Sequence, residues 1–223
     1  MPKPHPNLLL VEGKSEQYSI PFLMDKYVAW GDKRKEWVVE IVELNGVEAL
    51  LKPGVIEAES KRSGLKSIGV IIDADISLDS SWARLKERFK RVSEDCPDDL
   101  PQNGLIHVTP AGPRIGAWIM PDNRSRGMLE TFLGLLRTVE SQPLWEIASR
   151  SCDEIAQMEG SFKAAHRDKA QVHTYLAWID PPGKTIAESL RDNVLDSKLP
   201  LAGLFAAWLI DLYQLQTKIV PSA

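Results

Sequence analysis

Two apolar runs that each end abruptly in acid stand out in the pattern of hydrophobic and polar positions. The first is Asn7–Val11, followed by Glu12, and the second is residues 67–72, followed by Asp73 and Asp75. Runs that are apolar at nearly every position are typical of parallel strands, because helices cover both faces of such a sheet. Since open α/β sheets bind ligands outside the carboxyl ends of their strands, we expect the three acids to meet at one edge.

The remainder of the first 140 residues alternates between predicted strands and helices. Helices are predicted at 15–27 (with Pro21 near the first turn), 47–51, 55–61, 79–92 and 128–139, and further strands at 37–42, 105–108 and 115–120. This alternation favours right-handed βαβ crossovers and a mostly parallel sheet. The last two strands are separated by too few residues for a crossover helix, so we expect them to pair antiparallel at or near the sheet edge.

From residue 144 onwards the pattern indicates helices only. They are predicted at residues 144–158, 162–177, 185–195 and 200–217, and the last is apolar enough to be docked on the rest of the protein. We therefore predict an α/β domain at residues 1–140 and a helical C-terminal extension at 141–223 that packs on it.

Composition narrows the class of protein. The 223 residues are 43% hydrophobic and 26% charged, as in ordinary soluble globular chains. No run approaches the ~20 apolar residues of a membrane span, so we expect a cytoplasmic protein with no membrane partner. The net charge of −4 argues against binding nucleic acid through bulk charge, so such binding must be local or shared with a partner. The two cysteines lack CxxC spacing, which argues against a zinc site.

The acidic residues indicate metal chemistry on their own. Glu12, Glu16, Asp73 and Asp75 would supply hard oxygen ligands without His or Cys, as Mg²⁺ or Mn²⁺ prefers. Carboxylates this close repel one another and raise each other's pKa, and a cation relieves that repulsion. We therefore predict a Mg²⁺ (or Mn²⁺) site that supports phosphoryl transfer, with Gly13 allowing a phosphate to approach the backbone.

Each of these acids also has a purely structural interpretation. Acids at strand ends occur as helix caps and in solvated turns. Glu16 and Glu130 lie in predicted first turns, where the helix dipole favours a negative charge without any metal. Asp122 follows a proline and precedes an asparagine, a context typical of turns.

The two acidic motifs, Glu12-Gly-Lys-Ser-Glu16 and Asp73-Ala-Asp75, resemble those of the Toprim domain found in topoisomerases, bacterial primases, recombination proteins and OLD-type nucleases. Their order, spacing and strand context carry the resemblance, which covers roughly the first 135 residues. It implies a Toprim-like fold, metal binding by both aspartates, a general acid/base role for Glu12 and a second metal position shared by Glu12 and Glu16.

A narrower likeness concerns residues 118–130. This segment resembles a family of uncharacterised, Toprim-related bacterial proteins, and the match of its Gly-x-Leu-Glu pattern adds Glu130 to the implied metal ligands.

Three potential cations, His166, Lys169 and His173, lie on one face of a predicted C-terminal helix. A solvated face is the ordinary interpretation of such a pattern. OLD-type nucleases use a lysine near their metals, so the resemblance, by residue type alone, makes Lys169 a candidate catalytic residue.

The acids thus predict a Mg²⁺-dependent phosphoryl-transfer enzyme, and the resemblance implies that it is a nuclease that cleaves phosphodiester bonds of nucleic acid. The alternative is a non-catalytic metal- or nucleic-acid-binding Toprim module that acts with a partner protein. OLD-type Toprim domains usually work beside an ATPase, so the resemblance also suggests an ATPase partner. The chain contains no P-loop, dinucleotide fingerprint or serine or cysteine nucleophile motif.

Overall fold

The computed structural model describes residues 4–218. Residues 1–3 of the predicted α/β domain and residues 219–223 of the predicted C-terminal extension lie outside this range. A single five-stranded sheet forms the centre of the protein, with the spatial order β2-β1-β3-β5-β4. Its strands are β1 (Asn7–Val11), β2 (Glu40–Glu43), β3 (Ser67–Asp73), β4 (Leu105–Val108) and β5 (Arg114–Met120).

Nine α-helices lie in the remaining chain within the described range. They are α1 (Lys14–Met24), α2 (Val47–Leu50), α3 (Val55–Glu59), α4 (Leu78–Val92), α5 (Leu129–Leu135), α6 (Gln142–Ile155), α7 (Arg167–Ala177), α8 (Ile186–Arg191) and α9 (Pro200–Tyr213).

Four neighbouring strands, β2, β1, β3 and β5, run parallel, and β4 pairs antiparallel with β5 at one edge. The predicted neighbours β1 and β3 pair directly, with Asn7 opposite Ser67. The predicted fold class is therefore confirmed: a mostly parallel α/β sheet flanked by helices, with a helical C-terminal part. Because β1 and β3 are parallel and adjacent, their carboxyl ends open at the same edge.

Side chains of the central strands alternate between two helical layers. Leu9 and Val11 of β1 pack against a layer formed by α1 and α5–α9. Leu8 and Leu10 pack against the opposite layer, formed by α2–α4. All four side chains are fully buried, and burial of a leucine or valine contributes roughly 1.5–3 kcal/mol. This double coverage explains why the strand is apolar at consecutive positions.

Two glycines let the last helix lie close to the sheet. Gly69 of β3 and Gly116 of β5 are register partners on neighbouring strands. A Cβ at Gly69 would lie 2.5 Å from Tyr213 Oη, and one at Gly116 would lie 2.6 Å from a methyl carbon of Leu212. Helix α9 is also tied to the sheet by polar contacts, since Tyr213 Oη donates to the carbonyl of Leu8 at 2.7 Å.

The second strand is predicted at residues 37–42, but β2 begins only at Glu40. The backbone of Val38 is engaged elsewhere, because its N–H donates to the Trp30 carbonyl and its carbonyl accepts the Asn7 side-chain amide. The polar groups of this segment are therefore satisfied outside the ladder, and pairing with β1 starts only afterwards.

The placement of Pro21 near the start of its helix is wrong. Helix α1 begins at Lys14, so Pro21 lies at its eighth position. Proline removes one helical hydrogen bond. The helix nevertheless continues to Met24 because Ile20, Leu23 and Met24 are buried in the core and hold the last turn in place.

The later helices also differ in their bounds from the predictions. The helix predicted at 162–177 starts at Arg167, after a 3-10 turn at Ala164–His166. The one predicted at 200–217 ends at Tyr213, because Gln214 adopts a left-handed conformation with φ of 53° that stops an α-helix. Val139 lies beyond α5, and its side chain is 85% exposed.

Within residues 4–218, no helix has both the length and the apolar content needed to cross a membrane.

Candidate functional site

A cleft of about 770 Å³ opens at the carboxyl ends of the parallel strands. Its walls come from the loops after β1, β2 and β3 and from the first turns of α1 and α5, with the start of α7 closing one side. All seven residues singled out from the sequence line this cleft: Glu12, Gly13, Glu16, Asp73, Asp75, Glu130 and Lys169. The expected convergence is therefore present, although the residues are separated by up to 157 positions (169 − 12) in the chain.

Glu12 follows β1 directly and reaches across to β3. Its carboxylate oxygen Oε1 accepts a hydrogen bond of 2.7 Å from the backbone N–H of Asp73. Burial raises the pKa of Glu12 to about 7, the Asp73 N–H opposes that rise, and the negative charges of Glu16 and Asp75 add to it. A carboxyl group with a pKa near neutrality can both accept and release a proton at physiological pH.

Asp73 is the last residue of β3 and connects the strand to α5. Its Oδ1 accepts a 3.0 Å hydrogen bond from the backbone N–H of Leu129, the first residue of α5. Burial raises the pKa of Asp73 well above its usual range, and the carboxylates of Glu12, Glu16, Glu130 and Asp75 raise it further. The side chain thus lies at the centre of the negative charge in the cleft.

Asp75 stands at the rim and is exposed to solvent. Its backbone forms a two-hydrogen-bond bridge with Gly127, through its N–H (2.8 Å) and its carbonyl (2.9 Å). Asp75 has a φ of 50°, in the left-handed region that aspartate tolerates better than most residues. The bridge joins the loop after β3 to the segment before α5, and so brings Asp75 and Glu130 to the same cleft.

Glu16, in the first turn of α1, is 6% exposed. Burial raises its pKa, backbone N–H groups of Glu16 and Gly13 oppose that rise, the negative charge of Glu130 adds to it, and Lys169 lowers it. Gly13 contributes by its small size, since a Cβ there would lie 3.3 Å from Oε2 of Glu16. The glycine therefore lets the glutamate side chain fold back over the helix start.

Glu130 is 5% exposed and forms an ion pair with Lys169 at an N–O distance of 3.5 Å. The pair is held by the packing of α5 against α7 and by the adjacent hydrogen bond from Thr131 to Asp168. The Lys169 side chain remains 50% exposed at the cleft wall. Its ammonium group is therefore close to the acids and still accessible to an anion.

Carboxylates dominate the donor set of the cleft. Among residues 4–218, no group of three or more His, Cys, Asp or Glu side chains has the arrangement of a preformed metal site. Glu12 and Asp73 each accept a backbone hydrogen bond through one carboxylate oxygen. The chemistry of the set nevertheless fits a hard divalent cation, because buried, mutually repelling carboxylates are stabilised by such an ion.

Two cleft residues, Glu43 and Asn45, were missed from the sequence. Glu43 is the last residue of β2, a third parallel strand that ends at the same edge. The signal that identified Glu12 and Asp73, an acid where a strand ends, is present in the sequence for Glu43 as well, because Glu43 directly follows the strand predicted at 37–42.

Two other residues considered from the sequence lie elsewhere. Asp122 accepts hydrogen bonds from the backbone N–H groups of Arg124 and Ser125, as a turn residue does. His173 lines a neighbouring cavity, whereas His166 and Lys169 line the acidic cleft, so the predicted face of three cations is divided between two cavities.

Comparison with known proteins gives one finding. A family model described as "Protein of unknown function (DUF3226)" matches residues 6–214. No curated protein and no solved structure matches the chain. The matched range includes every residue of the acidic cleft named above.

Proposed function

The chain belongs to the family described as Protein of unknown function (DUF3226), and we propose that it is a divalent-metal-dependent nuclease that cleaves phosphodiester bonds in its acidic cleft. One observation carries the proposal: acids at the ends of β1 and β3 and in the first turns of α1 and α5 share a cleft with two accessible lysines, Lys14 and Lys169. A cluster of buried carboxylates destabilises a protein unless a cation or a proton neutralises part of its charge. Its presence therefore favours a functional role.

Glu12 is suited to proton transfer. Burial raises its pKa to about 7, and a divalent ion on the aspartates would lower it again, which favours the ionised form that acts as a general base. The Asp73 N–H donates to Oε1 at 2.7 Å and so fixes the position of the carboxyl group. In this proposal Glu12 takes a proton from the attacking water or returns one to the leaving oxygen.

Asp73 and Asp75, with Glu16 and Glu130 beside them, would hold Mg²⁺ or Mn²⁺. When bound, the ion would supply Lewis-acid activation of the phosphate and of the attacking water. The backbone around the aspartates is restrained, since Asp73 accepts from Leu129 and Asp75 is bridged to Gly127. Restrained ligands lose little entropy when they bind an ion, which favours a site on these residues.

Lys169 would stabilise negative charge on the phosphate in the transition state. In the absence of substrate it pairs with Glu130 at 3.5 Å. A scissile phosphate entering the cleft would share this ammonium group, whereas the space beside Gly13 is taken by the Glu16 carboxylate. Preorganised cations of this kind stabilise developing charge without further reorganisation.

The second candidate function is a Toprim-like binding module without catalysis. The hydrogen bonds that Glu12 and Asp73 accept from the backbone favour it, because they give both acids a structural role. In that case the cleft would bind metal or nucleic acid, and a partner protein would carry out the reaction. Our candidate for this partner is an ATPase. We place either activity in the cytoplasm.

A cleavage assay and a mobility-shift gel with purified protein distinguish the two functions. The nuclease should cut plasmid or single-stranded oligonucleotides in Mn²⁺ or Mg²⁺ and should not cut them in excess chelator. A binding module would leave every substrate intact under all metal conditions while still retaining it in a mobility-shift gel.

Lys169→Ala is expected to lower the cleavage rate at saturating metal by roughly 10²-fold, as loss of a group that stabilises transition-state charge does. The metal concentration for half-maximal rate should change much less, since the lysine is not a ligand. Lys163→Ala, which removes an exposed lysine close to the start of α7 but outside the cleft, is the matched control. An equal effect of both substitutions would contradict the assigned role.

A further inference from the structure

We propose that a groove beside the acidic cleft binds single-stranded nucleic acid by stacking bases on Tyr18 and Phe22. This inference rests on the proposed function, because it names the substrate class of the same site. The groove, which we call the aromatic groove, has a volume of about 550 Å³ and lies between α1, α7 and the segment that leads into α8. Its wall includes Lys14, Tyr18, Phe22, His173 and Lys184.

The two aromatic rings are presented to solvent on one face of α1. Tyr18 is 52% exposed and Phe22 is 39% exposed, although aromatic side chains of this size usually contribute to a core. They lie one helical turn apart, about 6 Å along the helix axis. Two neighbouring exposed rings with an apolar floor at Ile186 provide flat surfaces on which bases stack.

The charges around the rings favour a polyanion. Lys14 and His173 are exposed, and Lys184 lies deeper, where it pairs with Asp192 at 2.7 Å. Among residues 4–218, no acidic side chain lines the aromatic groove, whereas the adjoining cleft is lined by six, Glu12, Glu16, Glu43, Asp73, Asp75 and Glu130. In a chain of net charge −4, such a local change of sign is the kind of feature that nucleic-acid binding requires.

The aromatic groove adjoins the acidic cleft. Lys14 and Ser15, at the start of α1, line both cavities. Positions 14, 18 and 22 follow each other at helical spacing, so the stripe begins at the cleft and leads away from it along α1. A strand whose bases stack on the rings would thus extend its backbone past Lys14 towards Glu12 and Asp73.

Single strands fit this arrangement better than duplexes do. Stacking on a side chain requires an unpaired base face, and the bases of a duplex are already stacked on one another. The stacking energy is similar for all bases, so the groove should show little sequence preference.

Fluorescence anisotropy with a labelled oligothymidine of about 12 nucleotides, within the usual site sizes of ~4–16 nucleotides, tests the proposal. The titrations are made in excess chelator, so that no cleavage occurs and binding is read alone. The Tyr18→Leu/Phe22→Leu double variant keeps apolar side chains but removes both rings, and it should bind roughly tenfold or more weakly. Tyr18→Phe keeps the ring and should retain wild-type affinity.

Trp178→Leu is the matched control, because Trp178 is 43% exposed and lies outside the groove lining. Its affinity should equal that of the wild type, and a duplex of the same length should bind more weakly than the single strand. Unchanged binding by the double variant, or duplex binding as tight as single-strand binding, would overturn the proposal. Absence of binding to either oligonucleotide would also overturn it and would favour a protein as the occupant.

These outcomes are separate from a failure of the nuclease proposal. A wild-type protein that binds the single strand through the rings but cleaves nothing in Mn²⁺ would overturn the catalytic role and support the aromatic groove. Cleavage by the wild type, together with unchanged binding by the double variant, would support the catalytic role and overturn the aromatic-groove proposal.

Discussion

Glu12→Gln and Asp73→Asn should each lower Mn²⁺- or Mg²⁺-dependent phosphodiester cleavage by at least 10²–10⁴-fold, the usual contribution of positioned proton transfer. Both changes nearly preserve side-chain shape. Glutamine can still accept the Asp73 N–H, but it cannot exchange a proton, and asparagine can still accept the Leu129 N–H, but it lacks the charge that would hold the ion. Activity should therefore fall while the fold remains intact.

The measurement compares cleavage rates with thermal melting of the same preparations. Removal of one buried carboxylate charge reduces repulsion in the cleft, so the melting temperature should stay unchanged or rise. Asp99→Asn, at an exposed acid outside the cleft, is the control and should retain full activity. Cleavage that persists in both cleft variants would indicate a contaminating nuclease, and the catalytic proposal would have to be withdrawn.

Trp208→Ala should lower the free energy of unfolding by about 3–5 kcal/mol, the usual range for removing a large buried aromatic side chain. Trp208 is 1% exposed, and its ring centroid lies 5.7 Å from that of Trp118 of β5. Its Nε1 also donates a 2.9 Å hydrogen bond to the carbonyl of Leu105 in β4. The substitution would therefore remove packing and a polar contact at the point where α9 meets the sheet.

Urea denaturation of the variant and the wild type gives this difference directly. Leu204→Ala, on the same helix but 41% exposed, is the control and should cost less than about 1 kcal/mol. Equal effects of the two substitutions would contradict the docking of α9 as an integral layer of the fold. Separate unfolding of the C-terminal helices would likewise show that they form an independent unit.

The central strands and their acids could be predicted because the physics that forms them is local. Consecutive apolar residues at Asn7–Val11 need cover on two faces, and the acid that follows must leave the core. Adjacent parallel pairing of β1 and β3 then brings Glu12 to the Asp73 N–H. Glu43 carries the same signal, because it directly follows the strand predicted at 37–42, and β2 brings it to the same edge.

Features that depend on distant contacts could not be predicted from the pattern. The close packing of α9 on the sheet depends on Gly69 and Gly116 being register partners. That pairing cannot be read from the sequence of either strand. The bridge between Asp75 and Gly127 likewise joins segments 52 positions apart (127 − 75). Tyr18 and Phe22 follow the helical spacing of a core stripe, and only the packed structure shows that they remain exposed.

Calorimetric titration of Mn²⁺ into metal-free protein tests the central claim most directly, namely that the acidic cleft holds a divalent ion through Asp73 and Asp75. The wild type should show saturable binding, the Asp73→Asn/Asp75→Asn double variant should lose most of it, and Asp99→Asn should bind as the wild type does. Absence of saturable binding to the wild type, or undiminished binding to the double variant, would contradict the account.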